Sequence, residues 1–179
     1  MSITNFYLSV LNSLNKCNVE YMLVGGHAVN FYGYTRSTLD MDLWVDTTAS
    51  NLIKLENALN DLDYSPESCH NAILHFNNEH MFKIPKDNSV IDIMDSFMMK
   101  QSFSDSFKNR KCVDVDGVSI WVIGIDDLIS CKLKSNRTKD LLDVQELKSL
   151  KQLQNKQSIK DDLFTGLSKK IKNQPDSGK

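Results

Sequence analysis

No stretch of these residues comes near the ~18 consecutive apolar residues that a membrane-spanning helix needs, so no membrane-spanning helix is expected among them. The opening residues, MSITNFYLSVLNSLNK, lack the basic flank and unbroken apolar core of a secretion signal. Cys17, Cys69, Cys112 and Cys131 show no C-x-x-C spacing and read as reduced, mostly buried thiols rather than a disulfide scaffold. An excess of charge of one sign is also missing. Twenty-one Lys and Arg against 23 Asp and Glu give a net charge of −2, so nothing global draws the chain to nucleic acid or a membrane surface. A local basic patch is compatible with those totals. No internal repeat and no clear linker interrupt the chain. A soluble cytoplasmic protein is expected.

What is present suits one domain. Of 179 residues, 41 % are apolar and 25 % charged, enough for a real core. Leu8, Leu11 and Leu14 recur at three-residue steps, with Phe6 two residues before them, and predict an amphipathic first helix. YMLVGG reads as a short buried strand ending in glycine, HAVNFYGY as a helix of about two turns, and LDMDLWV as a second strand. Thr47 or Thr48 can cap a helix carrying Leu52, Leu55, Leu59 and Leu62. AILHF, HMFKI and SVIDIMD read as three further strands, with PKDN turning between the last two. KCVDVDGVSIWVI predicts a hairpin on Asp116-Gly117. Helical pattern follows from Asp126 to Leu150, broken around SNRT, and continues through Leu163, Leu167 and Ile171 to a polar tail.

The chemistry concentrates between Val24 and Val45. Side chains alternate along a strand, so Asp40 and Asp42 share one face while Met41 and Leu43 take the other. Two ionised carboxylates about 7 Å apart repel unless cations lie between them. Magnesium prefers carboxylate oxygens and keeps waters that a substrate's phosphates can replace. Two further such pairs, Asp61/Asp63 and Asp114/Asp116, fall at a helix end and a turn, so spacing alone decides little. Gly25-Gly26 sits where a strand meets a helix, where backbone N–H groups can approach a phosphate, or where glycine simply makes a tight turn. Arg36, Ser37 and Thr38 precede the acidic strand and offer a cation and two hydroxyls; Arg36 either meets phosphate or pairs with the aspartates. Asp92 lies in an apolar strand where an unpaired charge is costly, and so suits a third carboxylate, with Asp95 as the reserve. Cys69, His70, His75 and His80 cluster without zinc-ligand spacing. His27 reads as structural or as a phosphate or base contact. Trp44 and Trp121 read as core or near-core residues.

GG, a short helix, R-S-T-x-D-x-D and a later strand aspartate together resemble the polymerase-β-like nucleotidyltransferase superfamily, closest to small bacterial members that include the abortive-infection toxin type. GIDDLISCKLKSNRTKDLLDVQEL resembles that group's second signature, and the likeness runs from about residue 20 to 150. It implies a phosphate-binding turn at Gly25 and Gly26, where many members have Gly-Ser. It implies a metal-binding pair at Asp40 and Asp42, and a third carboxylate at Asp92 that activates the acceptor hydroxyl. Lys132 would lie near the nucleotide phosphates; Lys139, Asp140 and Asp143 would contact nucleotide or acceptor. Read without the resemblance, Lys132 and Lys139 suit a solvated helix face, and Asp140 and Asp143 a helix start.

The expectation is therefore an α/β (α+β) fold, a mixed sheet flanked by helices. Residues 1–124 would form the nucleotidyltransferase core, 125–172 a C-terminal helical segment of the same domain, and 173–179 a disordered tail. The expected activity is Mg²⁺-dependent transfer from a nucleoside triphosphate, with two ions in reach, to an acceptor that is RNA, protein or a small molecule. The alternative is a non-catalytic nucleotide- or partner-binding module, such as the antitoxin component of a toxin–antitoxin system.

Overall fold

The computed structural model describes residues 3–86, 89–135 and 137–172, with side chains described over 5–76, 78–85, 89–97, 99–135 and 137–156. The tail expected over 173–179 lies outside the described residues. Helix α1 (Ile3–Lys16) buries Phe6, Tyr7, Val10, Leu11 and Leu14, a helical stripe that meets the sheet and helix α3 (Ala49–Asn60). Leu52, Leu55, Ala58 and Leu59 form the facing stripe of α3, whose last turn stops short of Leu62.

Strands β1 (Tyr21–Leu23), β2 (Asp40–Val45), β3 (Met81–Lys86), β4 (Ser89–Met94), β5 (Lys111–Val115) and β6 (Val118–Val122) make one mixed sheet in the order β3-β4-β2-β1-β6-β5. Parallel pairing of β2 with β4 and of β1 with β6 joins antiparallel pairs β1/β2, β3/β4 and β5/β6. The expected α/β fold is thus observed. Every residue of β1 is buried, as the centre of a doubly covered sheet requires. The β5–β6 hairpin turns on Asp116 and Gly117, both at positive φ (52° and 80°), the conformation two-residue hairpin turns favour.

One expected strand is a helix. AILHF lies within α4 (Pro66–Glu79). Ser65 caps its start by accepting the Ser68 N–H at 3.1 Å, Pro66 fits the first turn, and His80 closes it in the left-handed conformation. Cys69, Ile73 and Phe76 then fall on one side and pack on the core. The apolar run was too short to show its period, and the capping residues upstream decide it. The cysteines also depart from expectation. All four are free, but only Cys69 is buried, and Cys112 is exposed.

The remaining elements are α2 (Gly25–Phe31), a single 3-10 turn at Ser96–Met98, α5 (Phe103–Lys108), α6 (Ile125–Ser135) and α7 (Thr138–Lys172). Helices α6 and α7 pack on each other, and α6 also touches α2. That contact brings the C-terminal segment to the side of the sheet where β1 ends. Among the described residues, no helix is long and apolar enough to cross a membrane.

Candidate active site

The parallel register sets Asp42 opposite Asp92, on strands about 4.8 Å apart, with Asp40 one step away on the same face. Asp40 is exposed, Asp42 half-buried and Asp92 buried. Burial raises the Asp42 carboxyl above the usual carboxylate range, and the facing Asp92 charge raises it further, against opposing effects from Lys132 and the Gly26 backbone N–H. The sheet therefore holds like charges side by side.

Gly25 stands directly over that pair. Its φ of +62° suits glycine, and any Cβ built on it would overlap the Asp42 carboxylate. At Gly26 a Cβ would run into Thr38. The glycine pair is thus needed for close approach of the strand-to-helix turn to the acidic strand. The Arg36–Thr38 loop is fixed by Asn30 of α2, whose side chain accepts from the Arg36 N–H and donates to its carbonyl, both at 3.0 Å. Tyr7 donates to the Leu39 carbonyl at 2.6 Å and closes the other end of the loop.

Asp92 is paired. Lys83 lies directly across the β3/β4 ladder and its Nζ donates to both carboxylate oxygens, at 2.9 and 3.1 Å. Asp95 falls just after β4. It caps the 3-10 turn by accepting from the Phe97 N–H at 2.7 Å and meets His80 Nδ1 at 2.7 Å. The structure brings Asp92, not Asp95, to Asp40 and Asp42.

A second charged cluster borders the same space. Lys132, 6 % exposed, meets Asp140 at 2.8 Å and Asp143 at 2.9 Å, and both carboxylates are sealed from solvent. Arg36 grips Asp143 with two hydrogen bonds of 2.7 and 2.9 Å, and Ser135 and Arg137 each meet Asp140 at 2.5 Å. Burial works to raise the Asp140 carboxyl, but the hydrogen bonds from Lys132, Ser135 and Arg137 outweigh it and hold it at about 2. Solvated helix faces do not describe Lys132, Asp140 and Asp143; Lys139 alone of the four is exposed. Arg36 pairs with Asp143 rather than with Asp40 or Asp42.

Between the clusters opens a cavity of about 710 Å³. Gly25, Gly26, Arg36, Ser37, Thr38, Asp40, Asp42, Asp92, Lys132 and Lys139 reach its wall, with Met81, Met94 and Met99 on an apolar side. Asp140 and Asp143 do not line it; they hold Lys132 and Arg36, which do. Cys131 also borders it, and burial pushes its thiol up to about 11, which favours the protonated thiol at neutral pH. His27 faces Tyr7 edge-on at 5.6 Å, and its buried Nε2 has no hydrogen-bond partner among the described residues. His70 meets Glu56 at 3.0 Å, away from this cavity. Trp44 is buried in the core and Trp121 half-buried. Sequence reasoning missed Lys83 and Asn30; the alternation Met81, Lys83, Pro85 beside the Asp92 strand was the available signal for the lysine.

The donor set fits magnesium in kind, with hard carboxylate oxygens from Asp40, Asp42 and Asp92 on one face. Among the described residues, no three carboxylate, histidine or thiol side chains yet surround one point. The Lys83 ammonium is the cation that Asp92 holds.

A mixed sheet with a glycine turn over in-register carboxylates, closed by a C-terminal helical pair, defines a nucleotidyltransferase-like fold. The chain belongs to the family described as "Nucleotidyltransferase of unknown function (DUF6036)", whose model matches residues 3–159. Solved structures agree on the fold. An antigenic nucleotidyltransferase-like protein from Paracoccidioides brasiliensis is 14 % identical with a TM-score of 0.55, covering 84 % of this chain and 76 % of its own. A Thermotoga maritima protein described as a candidate nucleotidyltransferase is 15 % identical at 0.54, covering 86 % and 92 %. The antibiotic-resistance factor ANT(2'')-Ia is 14 % identical at 0.52, covering 97 % and 100 %. No curated protein matches the sequence.

Proposed function

We propose that the protein transfers a nucleoside monophosphate from a nucleoside triphosphate to an acceptor hydroxyl and releases pyrophosphate. The observation that carries this reading is the in-register pair Asp42 and Asp92, with Asp40 on the same face, under a glycine turn that only glycine fits. Asp40, Asp42 and Asp92 are the residues that would hold Mg²⁺. When bound, magnesium neutralises the triphosphate and lowers the pKa of the attacking hydroxyl.

The chain's own groups account for the rest. Arg36, Ser37, Thr38 and Lys139 line the polar side of the cavity and offer donors to phosphate oxygens. Lys132, fixed by Asp140 and Asp143, contributes a positive charge that needs no reorganisation when negative charge builds up. Asp92 accepts the proton as the acceptor O–H bond breaks. The oxygen bonds to the α-phosphorus, and the bond to the pyrophosphate oxygen breaks. A non-catalytic binding module leaves the elevated Asp42 carboxyl without a purpose, since replacing one aspartate would relieve it.

The test supplies each of the four α-labelled nucleoside triphosphates with Mg²⁺ and cell extract, and asks which component gains the label. A labelled product with wild type, reduced at least about 100-fold by Asp42→Ala, is expected. Equal labelling by Asp42→Ala, or transfer that persists without divalent cation, overturns the reading.

A further inference from the structure

Lys83 and Asp92 form an ion pair at the edge of the site. Asp92 lies among apolar residues of β4 with 8 % exposure, where an uncompensated carboxylate is costly. Its neighbour across β2/β4 is Asp42, a like charge, so the neighbour on that side worsens the cost. The neighbour on the other side, across β3/β4, is Lys83, whose ammonium takes both oxygens of Asp92. Lys83 itself is more than half exposed and stands on the edge strand of the sheet. Its long stem can swing into solvent without disturbing the core. Lys132, another ammonium bordering the same cavity, is buried and fastened by two aspartates, and has no such freedom.

From this contrast we propose that Lys83 is a displaceable internal counter-ion, a positioning residue that holds Asp92 until a divalent cation takes its place. The inference rests on the metal-binding role given to Asp40, Asp42 and Asp92 above. An ammonium with three donors satisfies both Asp92 oxygens in the resting protein and removes part of the repulsion with Asp42. A divalent cation arriving between Asp42 and Asp92 competes for the same oxygens. Binding the cation therefore includes breaking the Lys83 pair, and the affinity is lower than the carboxylates alone would give. Once released, Lys83 frees Asp92 to face the cation and the acceptor hydroxyl. The lysine thus keeps the carboxylate ordered in the empty protein and weakens cation binding until triphosphate adds its own ligands.

Manganese binding without nucleotide, measured by calorimetry and by the loss of the free-ion electron paramagnetic resonance signal, tests this on the full chain. Lys83→Met should bind Mn²⁺ about fivefold more tightly than wild type, the scale of a partly exposed ion pair. Lys83→Arg, which keeps the positive charge on Asp92, should stay within about twofold of wild type. In an Asp92→Asn background, Lys83→Met should change Mn²⁺ affinity little, because the counter-ion then has no charge to hold. Unchanged affinity in Lys83→Met overturns the proposal. An equal gain in both backgrounds also overturns it, because the lysine would then act only as a distant positive charge. Wild-type protein that binds no Mn²⁺, or binds it as well after Asp42→Ala, instead defeats the underlying metal-site reading, and the proposal with it.

Discussion

Two charged clusters share one cavity and are built on opposite plans. On the sheet, Asp40, Asp42 and Asp92 set like charges side by side, relieved by one exposed lysine. Against the C-terminal helices, Arg36, Lys132, Asp140 and Asp143 alternate in sign, and both carboxylates are fully enclosed. The first cluster has unmet demand for positive charge, which suits a site that receives cations. The second has its demand met internally, which suits a frame. The frame also joins distant parts of the chain, since Arg36 and Asp143 lie 107 residues apart. Helix α7 is thereby tied to the loop that leads into the acidic strand, and the helical segment helps shape the site it borders.

The contrast breaks most sharply at Lys132. Lys132→Met leaves Asp140 and Asp143 facing each other with less compensation in a buried setting. A loss of about 3–5 kcal/mol is expected, the usual cost of removing one partner from a buried pair, and urea unfolding measures it. A loss under about 1 kcal/mol would mean that the helical frame is solvated and the comparison is wrong. Gly25→Ala probes the other cluster. It forces an unfavourable φ and a clash with Asp42, so about 1–3 kcal/mol of stability should go, together with nucleotide transfer. Alanine tolerated there at full activity would show that the turn need not approach the carboxylates.

How much of this could be read from residues alone depended on whether the information was local. The glycine pair, the D-x-D strand and Asp92 were legible because each is a short pattern on a recognisable element. Even so, only the register shows Asp42 opposite Asp92, because β2 and β4 are separated by α3, α4 and β3. Lys132, Asp140 and Asp143 were pointed to by resemblance. Their residue types alone suggested a solvated face for Lys132 and a helix start for the two aspartates, and all three are buried. Lys83 escaped notice because a lysine on an edge strand is ordinary until its cross-strand partner is known. The misread strand in α4 has the same origin, since five apolar-rich residues carry too little period to choose between helix and strand.

The smallest effects give the clearest test of the two plans, because they differ in sign. Asp140 has its folded carboxyl held down to about 2, below its unfolded value, so its ionised form stabilises the fold. That contribution is complete above about pH 4 and is lost as pH falls through about 2. Asp42 has its folded carboxyl raised, so ionisation costs stability at neutral pH. Acidification through the range above its unfolded value should recover that cost, before the Asp140 contribution begins to fail. Asp42→Asn removes the charge altogether and should stabilise the cation-free protein by up to about 1 kcal/mol, while abolishing transfer. Thermal melts of wild type and Asp42→Asn in chelator should therefore converge as pH falls from neutral toward the ordinary carboxylate range, and then fall together as Asp140 is protonated. Curves that stay parallel across that range would show that Asp42 carries no stored repulsion. The sheet cluster would then be as fully compensated as the helical one.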